Sequence, residues 1–209
     1  LEIPYWFWKS DVLKFNKKKS ISFLLKKEKE IINKYPSAGD GGTDLANGLT
    51  SRYQFYNFLK LKSPALKGLQ GHIIKNIKMC INKFNKEGKH IPTNDLWALC
   101  WFNVLRKNEK ISQHKHRGLW DAEKSFLSGH LTIQAESTST HYLSVCENYA
   151  WCIENIPGQL IIFPTYVPHY TDTTLSKSPR ISVAFDVYDK KDLGEPAFID
   201  RGTCIPIHI

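Results

Sequence analysis

The chain has 209 residues, 42% of them hydrophobic and 12% aromatic, with a formal net charge of +9. That length and composition fit one globular domain able to bury its own core without disulfides or a structural metal. No apolar run approaches the ~20 residues that cross a bilayer. The aromatic stretch 1–8 is too short, and wrongly flanked, for a secretory signal.

Residues 20–34 read as a helix, with Ser20 as N-cap and Leu24, Leu25, Ile31 and Ile32 as a rough apolar stripe. Lys17, Lys18, Lys19, Lys26 and Lys27 make its surroundings basic. Such charge attracts anions. A nucleic-acid partner would need these lysines on one face, and that role is not expected. Residues 37–50 are glycine-rich but lack the Gly-Lys-Ser/Thr of a phosphate loop, so they read as turns or as a flap over a pocket. Residues 51–59 then read as an aromatic strand.

Ser63-Pro64 is the expected start of a second helix. Leu66, Leu69, Ile73, Ile77, Ile81 and Phe84 follow helical spacing up to Gly88. This stripe should pack on a β core. From residue 96 the period becomes two. Strands are expected at 96–104, 126–134, 141–145, 149–154, 160–163 and 181–188. Many short strands after a few helices predict a mainly β fold with packed helices (α+β), of the jelly-roll or double-stranded β-helix, cupin-like type. The expected organisation is one domain over 1–209. Residues 1–95 would form a helical and loop extension, 96–188 the β core, and 189–209 a tail.

Cys80, Cys100, Cys146, Cys152 and Cys204 are scattered, with no CxxC pair. They read as buried free thiols in a reducing compartment, which places the protein in the cytoplasm and disfavours a cysteine metal site.

The residues with chemistry lie in the β region. In Gln113-His114-Lys115-His116 the two histidines are two apart, so on an extended strand both imidazoles face one side and can meet one metal. Alone this pair is a weak signal. Residues 157–170 add a Pro-Gly turn, an apolar strand and a proline-rich bend that delivers His169. Arg180 and Ser182 follow on one face of the next strand, with small Ala184 beside them. An arginine at the start of an apolar strand needs a partner, because an unpaired buried charge is costly. A carboxylate ligand suits its planar fork.

These pieces together are His114-x-His116, Phe126 to His130, Pro157-Gly158, Phe163-Pro164 before His169, and Arg180-x-Ser182. Over roughly 97–188 they resemble the iron- and 2-oxoglutarate-dependent oxygenase superfamily. The similarity is strongest to the 2OG-Fe(II) oxygenases of bacteria and their phages. The resemblance implies an enzyme that takes Fe(II), 2-oxoglutarate and O2, releases succinate and CO2, and hydroxylates a substrate. It implies His114 and His169 as iron ligands, and Arg180 with Ser182 as the grip on the far carboxylate of 2-oxoglutarate. His116 departs from the family, which usually has a carboxylate there. It is read as a third imidazole ligand, with Asp121, Glu123 or Asp172 as carboxylate alternatives. Asn103 and Tyr142 are candidate co-substrate contacts, and His130 could line the same pocket. His72, His90 and His208 lack context and read as structural or surface groups.

Two other readings stay open. One is a three-His cupin dioxygenase without 2-oxoglutarate, in which Arg180 holds a substrate carboxylate. The other is a non-catalytic jelly-roll module that binds an anionic partner. The substrate itself is not readable beyond a mild preference for an acidic one. Its recognition would fall to loops 37–50, 117–126 and 189–209.

Overall fold

The computed structural model describes residues 6–37, 39, 42–88, 95–116, 125–144, 149–189 and 203–208. Two antiparallel sheets face each other. The larger has six strands in the order β1-β6-β3-β8-β2-β9: β1 (Trp8–Lys9), β6 (Leu160–Phe163), β3 (Ser125–Gln134), β8 (Arg180–Asp189), β2 (Leu96–Leu105) and β9 (Ile205–Ile207). The smaller has the order β5-β4-β7: β5 (Ala150–Glu154), β4 (Ser139–Leu143) and β7 (His169–Thr171). This is the expected double-stranded β-helix. Among the described residues no helix is long and apolar enough to cross a membrane.

Alternation along β8 divides the molecule. Ile181, Val183, Phe185 and Val187 face outward into the main hydrophobic core. Arg180, Ser182, Ala184, Asp186 and Tyr188 face inward and line a cavity between the sheets. Two helices cover the outer face. In α1 (Lys17–Lys34) the buried residues Ser20, Leu24, Glu28 and Ile31 recur every three or four positions. In α2 (Lys67–Lys86) Leu69, Ile73, Ile77, Ile81 and Phe84 form the stripe read from the sequence, and all are buried. Each such side chain stabilises by about 1.5–3 kcal/mol on burial.

Helix starts differ from expectation. Asn16, not Ser20, caps α1, its side chain accepting from Lys19 N at 3.0 Å. Ser20 lies inside the helix, and its hydroxyl donates to Asn16 O and Ala65 O. Ser63-Pro64 forms a turn, with Leu66 N bonded to Ser63 O, and the helix proper begins four residues past the serine.

The larger correction concerns 51–59. Leu49–Phe55 and Phe58–Lys60 are 3-10 turns, not a strand. Their side chains take the bonds that strand pairing would supply. Tyr56 Oη donates to Phe102 O and accepts from Phe102 N, Asn57 Nδ2 donates to Ala98 O, and Arg52 donates to Tyr35 O and Gly48 O. The segment thus packs across β2 instead of joining it.

Two glycines permit close approach. A Cβ on Gly129 would strike the Phe185 ring and stand 2.6 Å from Ile161 O. Gly158 has φ +91°, a left-handed conformation that glycine adopts without strain, and a Cβ there would strike Leu13 O.

Candidate metal and co-substrate site

His114 is not on a long strand. It forms an isolated bridge with His169, and the two exchange both backbone hydrogen bonds at 3.0 and 2.9 Å. His169 in turn pairs with Tyr142 of β4, so the smaller sheet runs on through β7 to His114. His116 N bonds Thr165 O at 3.2 Å, which holds the second histidine beside the bend that carries His169.

The three side chains converge. One nitrogen each from His114, His116 and His169 lies within 4.8 Å of the others. His114 Nδ1 donates to Ser112 O at 2.9 Å and His169 Nδ1 to Val167 O at 3.0 Å. His116 Nδ1 donates to Asp186 Oδ1 at 2.5 Å. Carbonyls and carboxylates only accept, so each bond fixes the proton on Nδ1 and the lone pair on Nε2. Burial, then the neighbouring His114 and His116, hold the His169 pKa well below that of an ordinary histidine, so it is neutral and able to ligate. Three fixed imidazole lone pairs suit a borderline transition metal such as Fe(II).

Asp172 spends its oxygens on His141 Nε2 and Ser139 N, both at 2.7 Å, and is not part of the converging group. Asp121 and Glu123 lie outside the described residues, as do His90 and most of loops 117–126 and 189–209. His72 bonds Ser10 Oγ at 3.2 Å and His208 is exposed, in line with structural and surface roles.

The same cavity, of about 150 Å³, reaches Arg180. Its side chain is 2% exposed. Nη1 stands 3.3 Å from Ser182 Oγ and Nη2 3.5 Å from Asn155 Oδ1, while Nε has no hydrogen-bond partner among the described residues. No carboxylate within salt-bridge distance meets it among the described residues. Burial lowers its pKa to about 10, so it stays charged at neutral pH. A buried cation with an unmet donor calls for an anionic ligand.

Asn103, opposite Ser182 on β2, lines the cavity and accepts from Thr50 Oγ1 at 3.1 Å. Tyr142 is fully buried behind the lining, its hydroxyl 2.6 Å from His130 Nε2. His130 does line the cavity, and burial followed by the charges of Arg180 and His116 pushes its pKa down to about 3. The glycine-rich loop contributes as a wall: Thr43 lines the cavity, and its carbonyl accepts from Ser112 N.

Sequence reasoning missed Asp186, Ser128, Trp101 and Tyr53. Trp101 lines the cavity, 6% exposed, with its indole N–H unpaired among the described residues. Trp101 and Asp186 could have been found by stepping two residues at a time from Asn103 and from Ser182.

Residues 99–186 match the family model described as "Putative 2OG-Fe(II) oxygenase". That match spans 88 of the 209 residues, from 99 to 186. The fold is shared with solved structures. One is a prolyl hydroxylase from Trichoplax adhaerens, in complex with a hypoxia inducible factor oxygen degradation domain peptide fragment. It is 12% identical over 89% of this chain and 84% of that one, with TM-score 0.53. Another is the non-heme alpha ketoglutarate dependent carbocyclase SnoK from nogalamycin biosynthesis, 13% identical over 88% and 79%, TM-score 0.50. The match to a Pseudomonas putida prolyl-4-hydroxylase, 16% identical with TM-score 0.39, covers 44% of this chain and about half (52%) of that one. A search of curated proteins finds no match to this sequence.

Proposed function

We propose that the protein is an Fe(II)- and 2-oxoglutarate-dependent oxygenase that hydroxylates its substrate. His114, His116 and His169 hold the metal, and Arg180 and Ser182 receive the far carboxylate of 2-oxoglutarate. The observation that carries this is the buried guanidinium of Arg180, with Nε unmet, in one cavity with three convergent imidazoles. Bound Fe(II), with 2-oxoglutarate and O2, supplies the oxidation that yields succinate, CO2 and a hydroxylated product.

The chain's own residues bind and position. The acceptors on each Nδ1 aim the Nε2 lone pairs inward, and burial keeps the His169 ring neutral. Arg180 and Ser182 fix one end of a dicarboxylate, so its other end must lie toward the histidines, past the small side chain of Ala184. Asn103, braced by Thr50, flanks that path, and Tyr142 supports His130 at its wall. Thr43, Thr50 and Tyr53 cover the cavity from the N-terminal segment and exclude water.

Lys115 lines the cavity, and the chain carries +9 overall, so we read the substrate as acidic. Cys80, Cys100 and Cys204 are buried and outside any disulfide, Cys152 is exposed instead of buried as expected, and Cys146 lies outside the described residues; thiols outside disulfides accord with a reducing, cytoplasmic setting.

The test is succinate release from 2-oxoglutarate after anaerobic Fe(II) loading and admission of air. Wild-type protein should release succinate, and His169→Ala should not. Equal release by both would refute the assignment.

A further inference from the structure

We propose that Asp186 is a positioning residue that delivers to the metal, through the His116 ring, the negative charge that a carboxylate ligand would otherwise supply. This rests on the metal reading given above. The juxtaposition that carries it is a buried carboxylate on the Nδ1 side of one converging imidazole.

Asp186 is 5% exposed. Its Oδ1 accepts from His116 Nδ1 at 2.5 Å and from Ser128 Oγ at 2.6 Å, and its Oδ2 accepts from Tyr188 Oη at 3.0 Å. Three donors from three segments satisfy the carboxylate and fix it in one orientation. The register explains how they meet. Ser128 stands directly opposite Asp186 in the β3–β8 pairing, and Tyr188 follows two residues on along the same face of β8. Asp186 is not itself one of the converging groups. Its Oδ1 is engaged on Nδ1, and Nε2 lies on the far side of the ring.

Three neutral imidazoles leave a bound dication uncompensated in a cavity that already holds the Arg180 cation. A carboxylate hydrogen-bonded to a ligand imidazole raises the basicity of that ring and locks its tautomer and rotation. His114 Nδ1 and His169 Nδ1 each donate to a backbone carbonyl, which orients the ring without adding a full charge. Asp186 therefore makes His116 a stronger donor than an imidazole bonded to a carbonyl alone. The ordinary structural role of a buried aspartate, holding two strands together, needs only Ser128 across the pair, with Tyr188 of its own strand satisfying the other oxygen. It leaves unexplained why the shortest of the three contacts is made to the ring of a converging histidine.

The measurement is the affinity of the metal-free protein for Co(II) alone, followed by visible absorption. Asp186→Asn retains an acceptor for Nδ1 and removes the charge. It should weaken binding about 10- to 100-fold, the range for loss of such an outer partner. Ser128→Ala and Tyr188→Phe each remove one bond to the carboxylate and should weaken binding by less. Unfolding of each metal-free variant is measured alongside, because a purely structural aspartate would lower the unfolding midpoint and leave the affinity of the folded protein unchanged. Should Asp186→Asn not fold, the graded losses in the other two carry the test. Co(II) binding by Asp186→Asn equal to wild type, while His116→Ala has lost it, would overturn the role of Asp186 and leave the metal site standing. No binding by wild type would overturn the metal reading itself.

Discussion

His114 and His169 are backbone partners: His114 N bonds His169 O at 3.0 Å and His169 N bonds His114 O at 2.9 Å. Two of the three converging imidazoles are thus set by a single β-bridge, and their ring centroids lie 4.3 Å apart. The third, His116, is two residues along from the first. The site is consequently preorganised by main chain, and metal should bind without a large ordering cost.

Metal should therefore act as a stabilising ligand of the folded state. At 100 times its dissociation constant, Fe(II) or Co(II) should raise stability by about 2.7 kcal/mol. Thermal unfolding with and without metal checks this. His114→Ala or His169→Ala should fold yet lose the increment, because the bridge uses backbone atoms that alanine retains.

The metal-free protein should lose stability in acid. His169 and His130 both have folded pKa values below the ordinary 6.5, His130 at about 3. The unfolded chain therefore takes up protons first as pH falls. Above about pH 6.5 both states are neutral at these groups and their contribution is fully present. Below it, each group should cost up to about 1.4 kcal/mol per pH unit until its folded pKa is reached. Urea unfolding between pH 7.5 and 5 should show falling midpoints (values bracketing the ordinary histidine range), with a shallower slope for His130→Gln. Unchanged midpoints would contradict this assignment.

Arg180→Met separates stability from binding. It removes a buried cation that meets no carboxylate at salt-bridge distance among the described residues. Metal-free stability should be equal to or greater than wild type. Affinity for 2-oxoglutarate should fall by about 2–5 kcal/mol, the usual cost of truncating one side of a buried charge pair. Chemical unfolding and ligand titration of the same variant check both halves.

Gly129→Ala tests the packing behind the cavity. The added methyl meets the Phe185 ring and Ile161 O, so about 1–3 kcal/mol of stability should be lost. Phe185→Leu in the same chain should recover part of it, since the two clash directly. Denaturant midpoints of the two single variants and the double variant decide the matter.

Much of this was legible because it depends on local period. The inward and outward faces of β8, the α2 stripe and the His-x-His pair are all spacing signals. Residues 51–59 were misread because their aromatic alternation imitates a strand. What decides their shape is tertiary: Arg52, Tyr56 and Asn57 reach main-chain groups of Tyr35, Phe102 and Ala98 that a sequence does not place nearby. The two- and three-residue strands β1, β7 and β9 carry too few residues to show a period. Asp186 escaped notice for a related reason. Its partner His116 approaches from a distant segment, and only the pairing of β3 with β8 brings Ser128 beside both. Residues 117–124 and 190–202, where substrate recognition was expected, lie outside the described residues.

The most direct measurement is titration of the anaerobic Fe(II)-loaded protein with 2-oxoglutarate, followed by visible absorption. Joint binding by the three histidines and Arg180 predicts a charge-transfer band that grows and saturates at one equivalent. It also predicts that Arg180→Met shifts that saturation to much higher concentration. Iron that stays bound while 2-oxoglutarate produces no band would contradict it.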